Sequence, residues 1–540
     1  MGVLFCMAGI VGQDVCEGDA REKATVRGFL KRWRKGLPKV LSRIRYRLGE
    51  SGWASLSWSA LIRGVVRPQF LRQARDRIER NILYLYLDQF WAGIFMAALA
   101  FNATYALRLG ASNTLLGWLS SIPSLIAMTI LVPSATFLEA QEDRGPWLRW
   151  SLTIGRGAFL GAAIVPWIFP QHAAEAVVAV LILRTLPMQF YSAGFSPMLA
   201  DVIPVRDRAR VMANRSIIMS ATVAACTFLF GLWMDAAAKI PWAAFPTNYQ
   251  IVYIIGTVAG LLSTCFISRI ELPKVAVIRR ERSRGARQAA GPSAPTKVAQ
   301  VDDEAPEGAT GGERRRGGRQ ALHGLGRVLA AGWSRLRAKV ADTVAPVKTI
   351  AQDNPQFVKI VVNTLVFDTG AWLVGPLYTI LFVNQLGASD SWIGLNTTLA
   401  HMGIIGGNLI WRRLMDRWGS ETALRRSVPM AASYALLVAF FPNLTLILLF
   451  GVLISLVNPG VTLSHTNTLY QICPQERRAS FMALYATVAN VGAFLAPMAG
   501  VALSNVIDIR WILLAGGLIR LTGAVLFQVN KVRVPEAATI

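Results

Sequence analysis

Stretches of about twenty residues with almost no charge recur between residues 82 and 530. LLGWLSSIPSLIAMTILVPSATFL (115–138) and ALLVAFFPNLTLILLFGVLISLV (435–457) are two of them. A helix of that length crosses ~30 Å of hydrocarbon. Lipid offers the backbone no hydrogen-bond partner, so each such stretch must satisfy its own N–H and C=O groups as a helix. Only 16% of the 540 residues are charged and 53% are hydrophobic, against about a quarter charged in a soluble protein. The chain therefore reads as an all-α membrane protein. The pattern predicts twelve transmembrane helices, at 82–107, 113–138, 148–169, 173–200, 212–236, 247–269, 357–385, 390–413, 424–441, 443–465, 480–505 and 510–530. Only Pro442 and Asn443 separate the ninth from the tenth.

The net charge of +25 is distributed by side rather than by patch. Fifty of the 56 Lys and Arg fall on one side of the predicted spans, and Arg108, Lys239 and Arg510 on the other. The positive-inside rule then places both termini and the central segment in the cytoplasm of a cell (plasma or inner) membrane. Topology accounts for the charge, and nucleic acid is not expected as a partner. Five cysteines (Cys6, Cys16, Cys226, Cys265 and Cys473) lack the spacing of a metal site and read as free thiols. At the N-terminus the basic residues follow the apolar run, the wrong order for a cleaved signal. Cys6 stands where myristoylation wants Ser or Thr.

Two strings are written twice. LGASNTLLGWL (109–119) follows the first span and LGASDSWIGLN (386–396) the seventh. DVIPVRDRARVMANR (201–215) and QICPQERRASFMALY (471–485) align without a gap at Pro204/Pro474, Arg208/Arg478, Ala209/Ala479, Met212/Met482 and Ala213/Ala483. The landmarks keep their order, so the chain reads as two six-helix halves, 82–269 and 357–530, in parallel pseudo-repeat. They are joined by a partly disordered cytoplasmic linker, 270–356. Parallel repeats are one construction of transporters whose halves rock about a central site. A basic extension (1–81) precedes them and a short tail (531–540) follows. VRGFLKRWRKGLPKVLSRIRYRL (26–48) and QALHGLGRVLAAGWSRLRAKV (320–340) read as amphipathic helices on anionic lipid. The Ala/Gly/Pro-rich stretch 285–319 reads as disordered.

RRLMDRWGSETALRR (412–426) after the eighth span and EAQEDRGPWLRW (139–150) after the second resemble the G-x-x-x-D-R-x-G-R-[RK] loop of the major facilitator superfamily. Asp416, Arg417 and Gly419 match, with Arg412 in place of the first glycine and Ser420 in place of a basic residue. Asp143 and Arg144 match, with Gly145 one residue early. Arg184 resembles the family's R-x-x-x-G element without its glycine. The resemblance covers 82–530. It implies that the Asp–Arg pairs latch the cytoplasmic face of each half in one access state. Arg208 and Arg478 would then face carboxylates or anionic lipid; the competing reading is that these arginines only set topology.

Ionisable groups at membrane depth cost several kcal/mol and face a cavity or a partner. At 1.5 Å per residue, Asp88 lies roughly 9 Å into its span, and Arg184, Asp368 and His401 lie about 16 Å into theirs. Counted back from the shared LGAS, Asp88 and Asp368 differ by three residues, about one turn, and so share a face of equivalent helices. Asp88, Asn102, Arg184, Asp368, His401 and Asn490 are the candidates for substrate or proton binding. The alternative for each is a polar group satisfied by a neighbouring helix. Arg184 suits a carboxylate partner or an anionic substrate, and His401 suits proton coupling. Arg520 reads as structural. Gly157/Gly161 and Gly403/Gly407 read as close-packing seams.

No Walker A string occurs, so ATP hydrolysis by this chain is not expected. No cofactor or metal is expected. The leading reading is a monomeric secondary active transporter of a small organic solute, coupled to an ion (proton) gradient, with a slight lean to efflux over nutrient import. A transporter-like receptor or scaffold that binds without transport is the alternative. A lipid-linked glycosyltransferase is disfavoured because its acidic cluster would have to be Asp302, Asp303 and Glu304, in the linker.

Overall fold

The computed structural model describes residues 77–141, 143–271, 354–474 and 478–532. The segments 26–48, 285–319 and 320–340 lie outside the described residues. The described residues contain helices and turns and no strand. The helices are α1 (Arg77–Leu99), α2 (Asn102–Arg108), α3 (Asn113–Ala140), α4 (Gly145–Ile168), α5 (Ala173–Leu183), α6 (Thr185–Val202), α7 (Val205–Ala237), α8 (Thr247–Ser268), α9 (Pro355–Ile380), α10 (Asp390–Phe440), α11 (Leu444–Ile472), α12 (Arg478–Ser504) and α13 (Ile509–Val529). A π-turn at Leu381–Gln385 carries α9 onward. The first predicted span is α1 plus α2, and the fourth is α5 plus α6, which meet at Arg184.

Ten described helices are long and apolar enough to cross a membrane. The remaining two predicted spans are the arms of α10, which bends at Gly419 (φ 74°, ψ 162°). That backbone region is essentially reserved for glycine. Length and apolarity do not establish either arm as a span. Asn396, His401 and Asn408 dilute the first arm and Arg425 and Arg426 the second. Large apolar side chains turned outward, among them Trp150, Trp167, Phe440 and Trp511, are what a helix bundle presents when its solvent is lipid.

The LGAS strings encode one stop-and-restart signal. Gly110 and Gly387 have positive φ, 92° and 65°, and so end a helix where a side chain would clash. Two residues on, the hydroxyl of Ser112 accepts from the Leu115 N–H (3.3 Å) and that of Ser389 from the Trp392 N–H (3.2 Å), capping the next helix. The Pro204 and Pro474 strings repeat a second junction. α6 and α11 each end two residues before the proline, and Pro204 is the N-cap of α7.

Packing differs between the two ends of the bundle. At the LGAS end one buried cluster takes side chains from both halves, including Phe101, Tyr105 and Tyr249 with Leu377, Phe382 and Val501. At the basic-loop end each half has its own core. Leu85, Leu152, Met198 and Ile267 belong to one, and Phe357, Leu424, Leu469 and Phe527 to the other. Between the halves α3 packs on α12 and α7 on α10. Gly231 and Gly394 face backbone of the opposite helix with no room for a Cβ, which lets α7 and α10 approach closely. The Gly403/Gly407 seam closes α10 on α11, whereas Gly157 faces open space.

Candidate functional site

In the N-terminal half the charges cancel locally. Asp88 on α1 is 1% exposed. Arg156 on α4 (3.8 Å) and Arg215 on α7 (3.5 Å) flank it, and the Ser263 hydroxyl of α8 donates to it. Arg156 also donates to the Gly260 carbonyl (2.9 Å), Ser263 Oγ (2.7 Å) and Thr264 Oγ1 (3.1 Å). One carboxylate thus ties four helices together. The sequence reading counted Arg215 with the basic loop; the structure buries it at 4% exposure, turned inward by Asp88. Arg156 was not among the sequence candidates. Arg184, for which a carboxylate partner was anticipated, does not pair with Asp88, whose partners are Arg156 and Arg215.

The C-terminal half leaves its carboxylate unengaged. Asp368, near the middle of α9, lines a narrow cleft between α9 and α12, with Thr364, Leu365 and Trp372 on one wall and Tyr485 and Val488 on the other. Among the described residues it makes no hydrogen bond and no ion pair. Arg520 on α13 acts on it electrostatically but lies outside ion-pair range, over the Phe367 ring at 4.4 Å. Thr364 Oγ1 is 2.9 Å from Nε2 of His465 on α11, and the His465 ring lies 5.4 Å from that of Tyr485. His465 and Tyr485 were missed in the sequence, where both sit at predicted span ends.

Other candidates are dispersed. Arg184, at the α5–α6 break, lies 5.7 Å from both the Phe95 and Phe159 rings and has no ion-pair partner among the described residues. Asn102 Oδ1 accepts from the Tyr253 hydroxyl (3.0 Å). Asn490 donates back to the Ala486 carbonyl of its own helix (2.8 Å). His401 Nδ1 is buried without a hydrogen bond. At the basic-loop end, Asp143 accepts from the Gly145 N–H (2.9 Å) and Arg144 donates to the Leu138 carbonyl (3.0 Å). This pair therefore closes the α3–α4 turn. Arg208 donates to the Ile203 carbonyl (3.4 Å). Asp416 and Arg417 are exposed at the end of the first α10 arm, and Gly419 makes the bend. Arg478 opens α12, and its side chain lies outside the described residues.

At the LGAS end the halves are clamped by charge. Arg108 of α2 lies 3.0 Å from Asp390 of α10, and the Tyr249 hydroxyl donates to the same carboxylate. Asp235 of α7 accepts the Asp390 and Ser391 N–H groups, each at 3.1 Å. It caps the N-terminus of a helix in the other half. Thr227 and Thr398 meet at 3.1 Å about two turns further in. Among the described residues no three metal-ligating side chains gather.

Two helical halves thus share one core at the LGAS end and keep separate cores at the other, with the Asp368 carboxylate bared between helices. Residues 360–539 match the Major Facilitator Superfamily. The fold is similar to that of a D-xylose–proton symporter (TM-score 0.56, 13% identity, covering 85% of this chain and 99% of that one). It is also similar to an inward-facing, unoccupied bacterial homologue of the human lysosomal transporter Spinster (0.53, 11%, 84% and 97%). A POT family transporter in complex with 5-aminolevulinic acid is a third (0.56, 11%, 85% and 97%). No curated protein matches in sequence. The resemblance read from the loop motifs is therefore borne out in sequence over residues 360–539, the stretch that matches the Major Facilitator Superfamily, and the fold is similar to those of transporters of solved structure.

Proposed function

We propose that the protein is a secondary active transporter that moves a small organic solute by alternating access. Twelve spans follow if the two arms of α10 each cross the membrane, which gives six helices per half. With the basic loops in the cytoplasm, the LGAS end is outside. The single observation that carries the reading is the packing asymmetry. One core spans both halves at the outer end, whereas separate cores face the cytoplasm, as expected of a transporter resting with its outer gate shut. Asp368 is the leading candidate for substrate or proton binding, because an unengaged carboxylate at membrane depth needs a ligand or a proton. Asp88 and Asn102 hold together helices of the other half. Proton coupling, a slight lean to efflux, and action as a monomer remain part of this reading. Anionic lipid at the basic cytoplasmic segments is a secondary partner.

Pyranine-loaded proteoliposomes provide the test. Pooled solutes added under an imposed pH gradient should evoke a protein-dependent proton flux, and preloaded solute should exchange by counterflow. Saturable binding with neither flux nor counterflow in any pool would instead favour a receptor that does not transport.

A further inference from the structure

The cleft at Asp368 has a chemistry narrower than "small organic solute". Its walls are apolar and aromatic, from Leu365, Trp372, Tyr485 and Val488. The Thr364 hydroxyl is already engaged with His465. What remains open is a carboxylate, which at full charge only accepts hydrogen bonds, and two electron-rich ring systems. An anion placed there would meet the carboxylate and leave it unpaired. A neutral solute would leave the carboxylate without a counter-charge in a poorly hydrated site. A positive group satisfies both features at once, by charge with Asp368 and by cation–π attraction with Trp372 and Tyr485. The charged and titratable groups facing the cleft from its surroundings are Arg520, His465 and Tyr485. Arg520 is turned to the Phe367 ring and does not line the cleft, so its charge tempers Asp368 without occupying the place of a ligand.

We infer that the cleft between α9 and α12 receives the positively charged head group of an amphipathic organic cation, held by Asp368 against Trp372 and Tyr485. The cleft is narrow and open to its surroundings, so it takes the charged tip of a solute rather than the whole of it, since complete ligand sites run from roughly 300 Å³ upward. The apolar remainder of the cation then lies outside the cleft. This inference rests on the transporter reading and names its substrate class.

The probe is benzyltrimethylammonium, whose charge is permanent and which cannot act as a proton donor. Its neutral carbon isostere, neopentylbenzene, and the anion benzylsulfonate are the controls. Binding to the full-length protein in detergent is read by thermal shift and by equilibrium dialysis. The cation should bind, with the isostere and the sulfonate at least tenfold weaker. Asp368→Asn should lose at least tenfold for the cation while keeping its melting temperature. Tyr485→Phe should keep affinity, and Tyr485→Leu should lose it several-fold. Arg520→Gln should tighten cation binding. Equal affinity of wild type and Asp368→Asn for the cation overturns the inference. So does preferential binding of the sulfonate that disappears in Arg520→Gln, which would make Arg520 the receptor of an anion. Counterflow separates the two readings. Cation binding without counterflow sinks transport and leaves the site assignment standing, whereas counterflow of neutral or anionic solutes with no cation binding does the reverse.

Discussion

Asp88 and Asp368 occupy corresponding helices of the two halves, near enough the same face, and have opposite surroundings. Asp88 is closed in by Arg156, Arg215 and Ser263. Asp368 opens on a cleft with no partner among the described residues. The half that holds Asp88 has used its carboxylate to bind its own helices together. The half that holds Asp368 has kept the equivalent group available. Under the function proposed above, one half supplies rigidity and the other the binding group.

The largest effect should come from breaking the closed side of that comparison. Asp88→Asn leaves two buried guanidinium groups without a counter-charge. Removing one partner of a buried ion pair costs about 3–5 kcal/mol. We expect a large fall in melting temperature or failure to recover folded protein, while Asp368→Asn unfolds within a degree or two of wild type. Equal destabilisation by the two substitutions, measured side by side, would dissolve the distinction between locked and open carboxylates.

A smaller effect is expected at the outer clamp. Asp390 is buried and receives Arg108 and Tyr249 across the two halves. Asp390→Asn weakens charge-assisted contacts made only while that end is shut, at about 1.5–3 kcal/mol for a hydrogen bond to a charged group. The populations of shut and open outer ends should shift by about tenfold or more, since 1.4 kcal/mol is one decade. Spin labels on exposed Trp242 and Val506 should report longer distances across the outer face. An unchanged distance distribution would show that packing, not charge, holds the gate. Gly419→Ala should cost about 1–3 kcal/mol, because the bend in α10 uses a backbone region that alanine avoids. With nothing near its Cβ position, Gly419→Asn should cost as much as alanine if backbone strain alone is at work, because that region excludes both.

Much of this was legible in the sequence because it is periodic or repeated. Charge-poor windows marked the ten long apolar helices, while the sidedness read from the split of Lys and Arg is part of the proposed function. The twin LGAS strings gave the two halves, and the structure supplies their reason in a positive-φ glycine followed by a capping serine. Asp368 could be singled out because an acid in an apolar run is conspicuous in one dimension. Its partners could not, because Tyr485, Trp372 and His465 are unremarkable apolar-helix residues until three helices bring them together. The fate of Asp88 was hidden for the same reason. Arg215 sits next to a basic loop in sequence and was counted with it. Only the direction of its side chain, set by where α7 meets α1, turns it from a surface charge into a buried partner. The latch residues teach the converse lesson: Asp143 and Arg144 satisfy backbone groups of their own turn, a local role that a loop motif does not announce.

The smallest effect tests whether the halves are equivalent where the repeat is strictest. Ser112 and Ser389 occupy the same place in the LGAS strings and make the same cap, with nearly equal distances of 3.3 and 3.2 Å. Replacing an N-cap serine by alanine costs about 0.5–2 kcal/mol, so local helix stability predicts the same loss at both. The surroundings differ, however. Ser389 immediately precedes Asp390, whose N–H is held by Asp235 of the other half, so the start of α10 has a second anchor that the start of α3 lacks. Ser112→Ala should therefore destabilise slightly more than Ser389→Ala, and the difference should vanish when Asp235→Asn is added to both. Identical costs in both backgrounds would mean that Asp235 adds nothing to the cap, and that the clamp acts through Arg108 and Tyr249 alone.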